Sequence, residues 1–142
     1  MRDIAKQRAS GSGEVLIPGT GRAQDLRGPG QLGGAQVLSD TQGVDFNPYL
    51  QRILYEIRRN WMAVWPESVR MGRRGRVVLQ FEVMRDGPIA KVYLVGASGF
   101  DPYDKAAFAG LMASAPFPPL PSEFKGPMVR LQLAFLYNMP VQ

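Results

Sequence analysis

The chain of 142 residues contains no cysteine and no histidine. No disulfide, thiolate nucleophile, thiolate metal site or imidazole base can therefore be built from it. Cysteine proteases, zinc fingers, histidine-based triads and most transition-metal enzymes are excluded at once. The compartment stays open, because a missing thiol suits an oxidising space and a cytosolic one alike. Nowhere do about 18 apolar residues run together, so no membrane-spanning segment is expected. The polar stretch after Met1 lacks the apolar centre of a signal peptide, and the chain as given reads as soluble. Asp86 falls in a turn, and Asp101 and Asp104 fall at a helix start, where the helix dipole stabilises carboxylates. No acid–base constellation follows, so neither an enzyme nor a cofactor is expected.

Charge is lopsided. Lys and Arg total 17 against 12 Asp and Glu, a net charge of +5. Residues 1–45 are balanced, so the excess lies later, with Arg70, Arg73, Arg74 and Arg76 close together. That cluster admits a nucleic-acid-binding module as a weaker alternative. The cluster is short, and no stacking aromatics interleave with it.

Residues 1–43 carry nine glycines, and VLIPG at 15–19 is the one apolar cluster before Val37. Such composition reads as a flexible linker or tail, with a folded domain over 44–142. Asn47-Pro48 looks like a capped helix start. The helix that follows puts Leu50, Ile53, Leu54, Ile57 and Trp61 on one stripe, with Glu56 and Arg59 placed for an ion pair. Trp61 and Trp65 are expected to cover the core. In residues 75–83, Val77, Leu79, Phe81 and Val83 alternate with polar residues, which predicts a strand with one buried face. Asp86-Gly87 supplies a tight turn into a second strand over 89–95. Asp101-Pro102 opens a second helix whose face of Tyr103, Ala107, Gly110, Leu111 and Ser114 is mostly small, suited to lying close on the hairpin. Four prolines within 116–121 predict a stiff strap burying Phe117 and Leu120. In 128–137, Val129, Leu131, Leu133, Phe135 and Tyr137 share one face of a last strand. The expected fold is α+β: a three-stranded antiparallel sheet with two helices packed on one face, in the order helix, strand, strand, helix, strand.

The order and spacing of these pieces resemble the C-terminal domain of the TonB/TolA energy-transducing family. The resemblance rests on 49–61 (YLQRILYEIRRNW), 75–87, Ser98-Gly99, Asp104 with Ala106-Ala107, and 116–121, and covers 39–138. It implies a periplasmic domain of a TonB-type energy transducer, tethered to the inner membrane. Such a domain couples proton-motive force to uptake of iron chelates or similar substrates through outer-membrane transporters. The implied partners are the N-terminal segment (TonB box) of a TonB-dependent outer-membrane transporter, taken by strand addition, and an inner-membrane motor complex of the ExbB/ExbD type. The motor complex would be reached through an anchor upstream of Met1. A TolA-like envelope-integrity domain is the alternative within the family, and open sheet edges make a homodimer possible.

An edge strand offers unpaired N–H and C=O groups to an extended peptide, independent of any family. The last strand is expected to lie at such an edge, with Met128, Arg130, Gln132, Ala134 and Leu136 as partner-binding positions. Arg130 and Gln132 are the candidates for side-chain selectivity.

Overall fold

The computed structural model describes residues 29–140. Within them the chain runs β1 (Gly30–Val37), α1 (Asn47–Met62), α2 (Glu67–Arg70), β2 (Gly75–Met84), β3 (Ile89–Gly96), α3 (Asp101–Ala113) and β4 (Met128–Tyr137). The strands form one antiparallel sheet in the order β1-β4-β2-β3. The centre is the β2–β4 ladder, which pairs Val77 with Phe135, Leu79 with Leu133, Phe81 with Leu131 and Val83 with Val129. All eight are at most 2% exposed, so the two strongest alternating patterns in the sequence meet as the core pair.

The sheet has four strands rather than the three expected. The extra one, β1, comes from residues read as linker; the 15–19 cluster of that stretch lies outside the described residues. The reason for the difference is a register shift between Gly33 and Gln36. Leu32, Ala35 and Val37 are buried, spaced by three and then by two. A bulge adds a residue and moves the alternation out of phase, so no period of two remains to be read.

α1 buries its predicted stripe completely, with Leu50, Ile53, Leu54, Ile57 and Trp61 at 0–1% exposure. The Glu56–Arg59 pair forms at 2.8 Å on its outer side. The predicted cap at Asn47 does not act as one. Asn47 is already helical, and the Asp45 carboxylate accepts from its N–H at 3.0 Å. Asp101 likewise lies inside α3. Asp104 instead closes the preceding loop, accepting from the N–H and Oγ of Ser98 at 2.9 and 2.8 Å. The connector after α1 also contains a short helix, α2, which was not expected.

The small face of α3 is buried, but it seats chiefly against α1 and only secondarily against β2. A Cβ on Gly110 would lie 2.6 Å from Trp61 Cα, so glycine permits contact between two helix backbones. The proline-rich strap buries Phe117, Leu120 and Phe124 as its composition predicts. It is fastened to the β2–β3 turn: Phe117 N–H donates to Gly87 O at 2.8 Å, and the Arg85 guanidinium donates to the carbonyls of Phe124 and Gly126. Gly87 sits at φ +112°, and a side chain there would collide with the Phe117 carbonyl.

Candidate functional site

β4 is not at the edge of the sheet. β2 pairs with it on one flank and β1 on the other, which corrects the expectation for Met128, Arg130, Gln132, Ala134 and Leu136 as edge-strand positions. The flank expected to be open is filled by the protein's own backbone. Beyond the ladder itself, Leu38 N–H donates to Arg130 O at 2.8 Å, and Asn138 N–H donates to Pro29 O at 2.7 Å. Arg130 N–H donates to Ser39 Oγ at 3.0 Å.

These bonds also show which way the β4 backbone points. Both main-chain groups of Arg130 and the N–H of Asn138 turn toward β1. In an antiparallel strand, the groups of every second residue turn the same way. Gln132, Ala134 and Leu136 therefore present their N–H and C=O groups to the β1 flank, and the odd-numbered residues serve β2. The side chains of the even-numbered set share the sheet face opposite the helices. There Arg130 pairs with Glu82 at 2.8 Å. Gln132 joins three strands, accepting from Gln80 at 2.8 Å and donating to Gln36 at 3.4 Å. Ala134 lies opposite Gly33 and Val78, Leu136 opposite Gln31 and Arg76, and Met128 opposite Met84. The structure thus brings all five positions into one stripe, with β1 seated along it.

β1 itself, Gly30–Val37, is the strand on this flank that the sequence pattern did not predict. Its one legible sign was the Gly33-Gly34 pair between apolar residues, a pattern that marks bulges as well as linkers. At the start of β1, a side chain on Gly30 would collide with the Trp65 ring, and Arg58 donates to Gly30 O at 3.1 Å. Beneath the far end of β4, Tyr137 Oη accepts from Trp61 Nε1 and donates to Tyr103 O, each at 2.8 Å. Burial pushes the Tyr137 hydroxyl well above the ordinary tyrosine range. Tyr49 donates to Pro118 O at 2.8 Å, and burial raises it to about 12.

The arginine cluster runs from the end of α2 through the loop that follows it into the start of β2. Arg73 stacks on Phe100, 3.8 Å from the ring centroid, and Arg70 pairs with Glu67 at 2.8 Å. Among the described residues, no group of three or more acidic, histidine or cysteine side chains could hold a metal ion. No helix of the described residues is long and apolar enough to cross a membrane. The candidate site is thus the ladder of main-chain groups between β1 and β4.

The protein family described as "TonB C terminal" matches residues 46–135. Among solved structures, the chain is similar to the NMR solution structure of the Helicobacter pylori TonB C-terminal domain (residues 179–285). Identity is 19% over 73% of this chain and 100% of that one, with a TM-score of 0.47. No curated protein matches. With its helices, its β2–β3 hairpin and most of β4 inside the matched span, the chain belongs to the TonB C-terminal family.

Proposed function

We propose that this domain receives an extended segment of an outer-membrane transporter as a strand on β4, in the place β1 now holds. The observation that carries the reading is that the even-numbered main-chain groups of β4 already bind an antiparallel strand with little side-chain mass. Three of the eight residues of β1 are glycine, and a bulge interrupts its ladder. Each ladder bond contributes about 0.5–1.5 kcal/mol net. A short foreign segment that repeats them, with larger apolar residues at the inward positions, competes on equal terms. Arg130 and Gln132 border that position and would read the side chains of the incoming strand. In this reading the domain works in the periplasm, tethered to the inner membrane. It passes force from a motor complex of the ExbB/ExbD type to a transporter for iron chelates or similar cargo.

Cysteine chemistry supplies a clean test, because the chain has no thiol of its own. An ideal Cβ on Gly33 lies 3.6 Å from Ala134 Cβ, inside the spacing of a disulfide. The double variant Gly33→Cys/Ala134→Cys is titrated with the N-terminal peptide of a transporter, reduced and oxidised. Circular dichroism confirms the fold of both forms. The reduced form should bind, and the oxidised form, with β1 locked in place, should lose at least tenfold in affinity. Equal affinity in the two forms would show that the peptide docks elsewhere.

A further inference from the structure

The corner between α2 and β2 projects from the domain. The run Arg70-Met71-Gly72-Arg73-Arg74 is exposed throughout, above a buried Val69. Met71 is 78% exposed, more than any other large apolar side chain among the described residues. A single exposed methionine is ordinary on a surface. This one is held in place. Gly72 takes a positive φ of +89° and closes α2: its N–H donates to Val69 O, and the Arg73 N–H donates to Ser68 O, each at 3.1 Å. That pair of returning bonds is the glycine-based helix stop that satisfies the last carbonyls. The rest of the domain fastens the corner from below. Arg73 O accepts from Tyr103 Oη at 2.6 Å and from Asn138 Nδ2 at 2.9 Å, and Asn138 Nδ2 also donates to Val69 O at 2.9 Å. A Cβ on Gly72 would meet nothing within 4 Å, so the tip stands clear of the other described residues.

The charge around the tip has one sign. Residues 68–76 hold four arginines and no carboxylate. Glu67 pairs with Arg70 at 2.8 Å, and the Arg73 guanidinium lies over the Phe100 ring. Among the described residues, no carboxylate pairs with Arg73 or Arg74. On the connector from α1, Met62 and Val64 are each 42% exposed, and a hollow of about 240 Å³ joins Met62, Trp65 and Pro66 to Arg70.

We propose that this corner docks on an anionic lipid bilayer, with Met71 entering the boundary between headgroups and acyl chains and Arg73 and Arg74 bound to lipid phosphates. Two features favour a bilayer over another polyanion. An apolar tip between cations fits a surface that is charged outside and apolar beneath. Nucleic acid instead rewards free rings among the cations, and Phe100, the ring beside them, is covered by Arg73. The planar guanidinium donates through a fork that matches phosphate oxygens. Because the main chain of the corner is fixed beforehand, little freedom is lost on docking. One methionine and a few arginines give weak, reversible and salt-sensitive attachment rather than a stable anchor.

Flotation of the full chain with lipid vesicles tests this. Vesicles of equal parts phosphatidylglycerol and phosphatidylcholine should carry the protein at low salt, vesicles of phosphatidylcholine alone should not, and added salt should release it. Arg74→Gln should weaken attachment about fivefold, the usual effect of one basic residue at an anionic surface. Met71→Gln should weaken it about threefold, and Met71→Trp should strengthen it about fivefold, since tryptophan favours the interface. Neither Met71 variant should change the circular dichroism, because the side chain is exposed. The absence of cysteine allows a second readout. An environment-sensitive dye on Met71→Cys should shift to the blue with the anionic vesicles. The same dye on Asp86→Cys, in the turn at the other end of β2, should not. Protein that ignores the anionic vesicles, or that floats as well after Met71→Gln and shows no dye shift, would overturn the proposal. So would binding to short duplex DNA in place of the vesicles, which would give the arginines to nucleic acid.

Discussion

Tyr49 shows how one buried hydroxyl couples the strap to solvent pH. Its Oη donates to Pro118 O at 2.8 Å, and burial raises its pKa to about 12 from the ordinary value of 10. The folded state therefore holds the proton more tightly than the unfolded chain. The stability contributed is intact below pH 10 and is lost as pH rises from there toward 12. Tyr137 acts in the same direction, with its hydroxyl held between Trp61 and Tyr103. The urea midpoint should stay flat from pH 7 to about 9.5 and fall above pH 10. Tyr49→Phe should cost about 1 kcal/mol at pH 7 for the lost hydrogen bond. The same substitution should make the alkaline decline shallower, and an unchanged decline would assign it to other groups.

At the scale of elements, α1, β2 and β4 were legible because each carries an uninterrupted period, and the structure buries the predicted faces of all three. The hairpin turn was legible through Asp86-Gly87, where the structure uses a positive φ. The Pro-rich strap followed from stiffness and two intervening apolar residues, both of which are buried. What failed has a common cause, namely dependence on a neighbour distant in sequence. β1 needs β4 to hold its glycines extended, and its bulge erases the period. The face that α3 presents was correctly read, but its small residues do not say whether a sheet or a helix comes close. Gly110 settles that physically, since a methyl group there would meet the Trp61 main chain. Gly110→Ala gains up to about 1 kcal/mol of helix propensity, yet forcing two backbones apart costs about 1–3 kcal/mol or more. Thermal melting should show a net loss of several degrees. An unchanged or higher melting temperature would mean that α1 and α3 separate freely.

At the scale of the whole molecule, the sheet of the described residues has one flank supplied by β1 and one, at β3, with no further strand among them, and the candidate site was legible only in half. Which main-chain groups of β4 face outward from the core pair follows from a period of two. Whether that flank is vacant depends on where a glycine-rich segment of weak pattern comes to rest. If β1 is a resident strand standing in for a partner, its hold on the sheet sets the affinity for that partner, because an incoming segment binds only the fraction of molecules with β1 displaced. Leu32 is the handle for this equilibrium. It is 1% exposed, lies opposite Phe135, and belongs to the displaced strand alone. Leu32→Ala should weaken β1 docking by about 2–5 kcal/mol, the usual range for a buried leucine. Amide exchange at Leu38 and Asn138, whose N–H groups bond across the ends of the β1–β4 pair, should then accelerate well before exchange in the β2–β4 ladder. Affinity for a transporter peptide should rise at least tenfold in the same variant, although the protein as a whole is less stable. Faster exchange with no gain in affinity would separate β1 release from recognition and remove β4 as the docking strand.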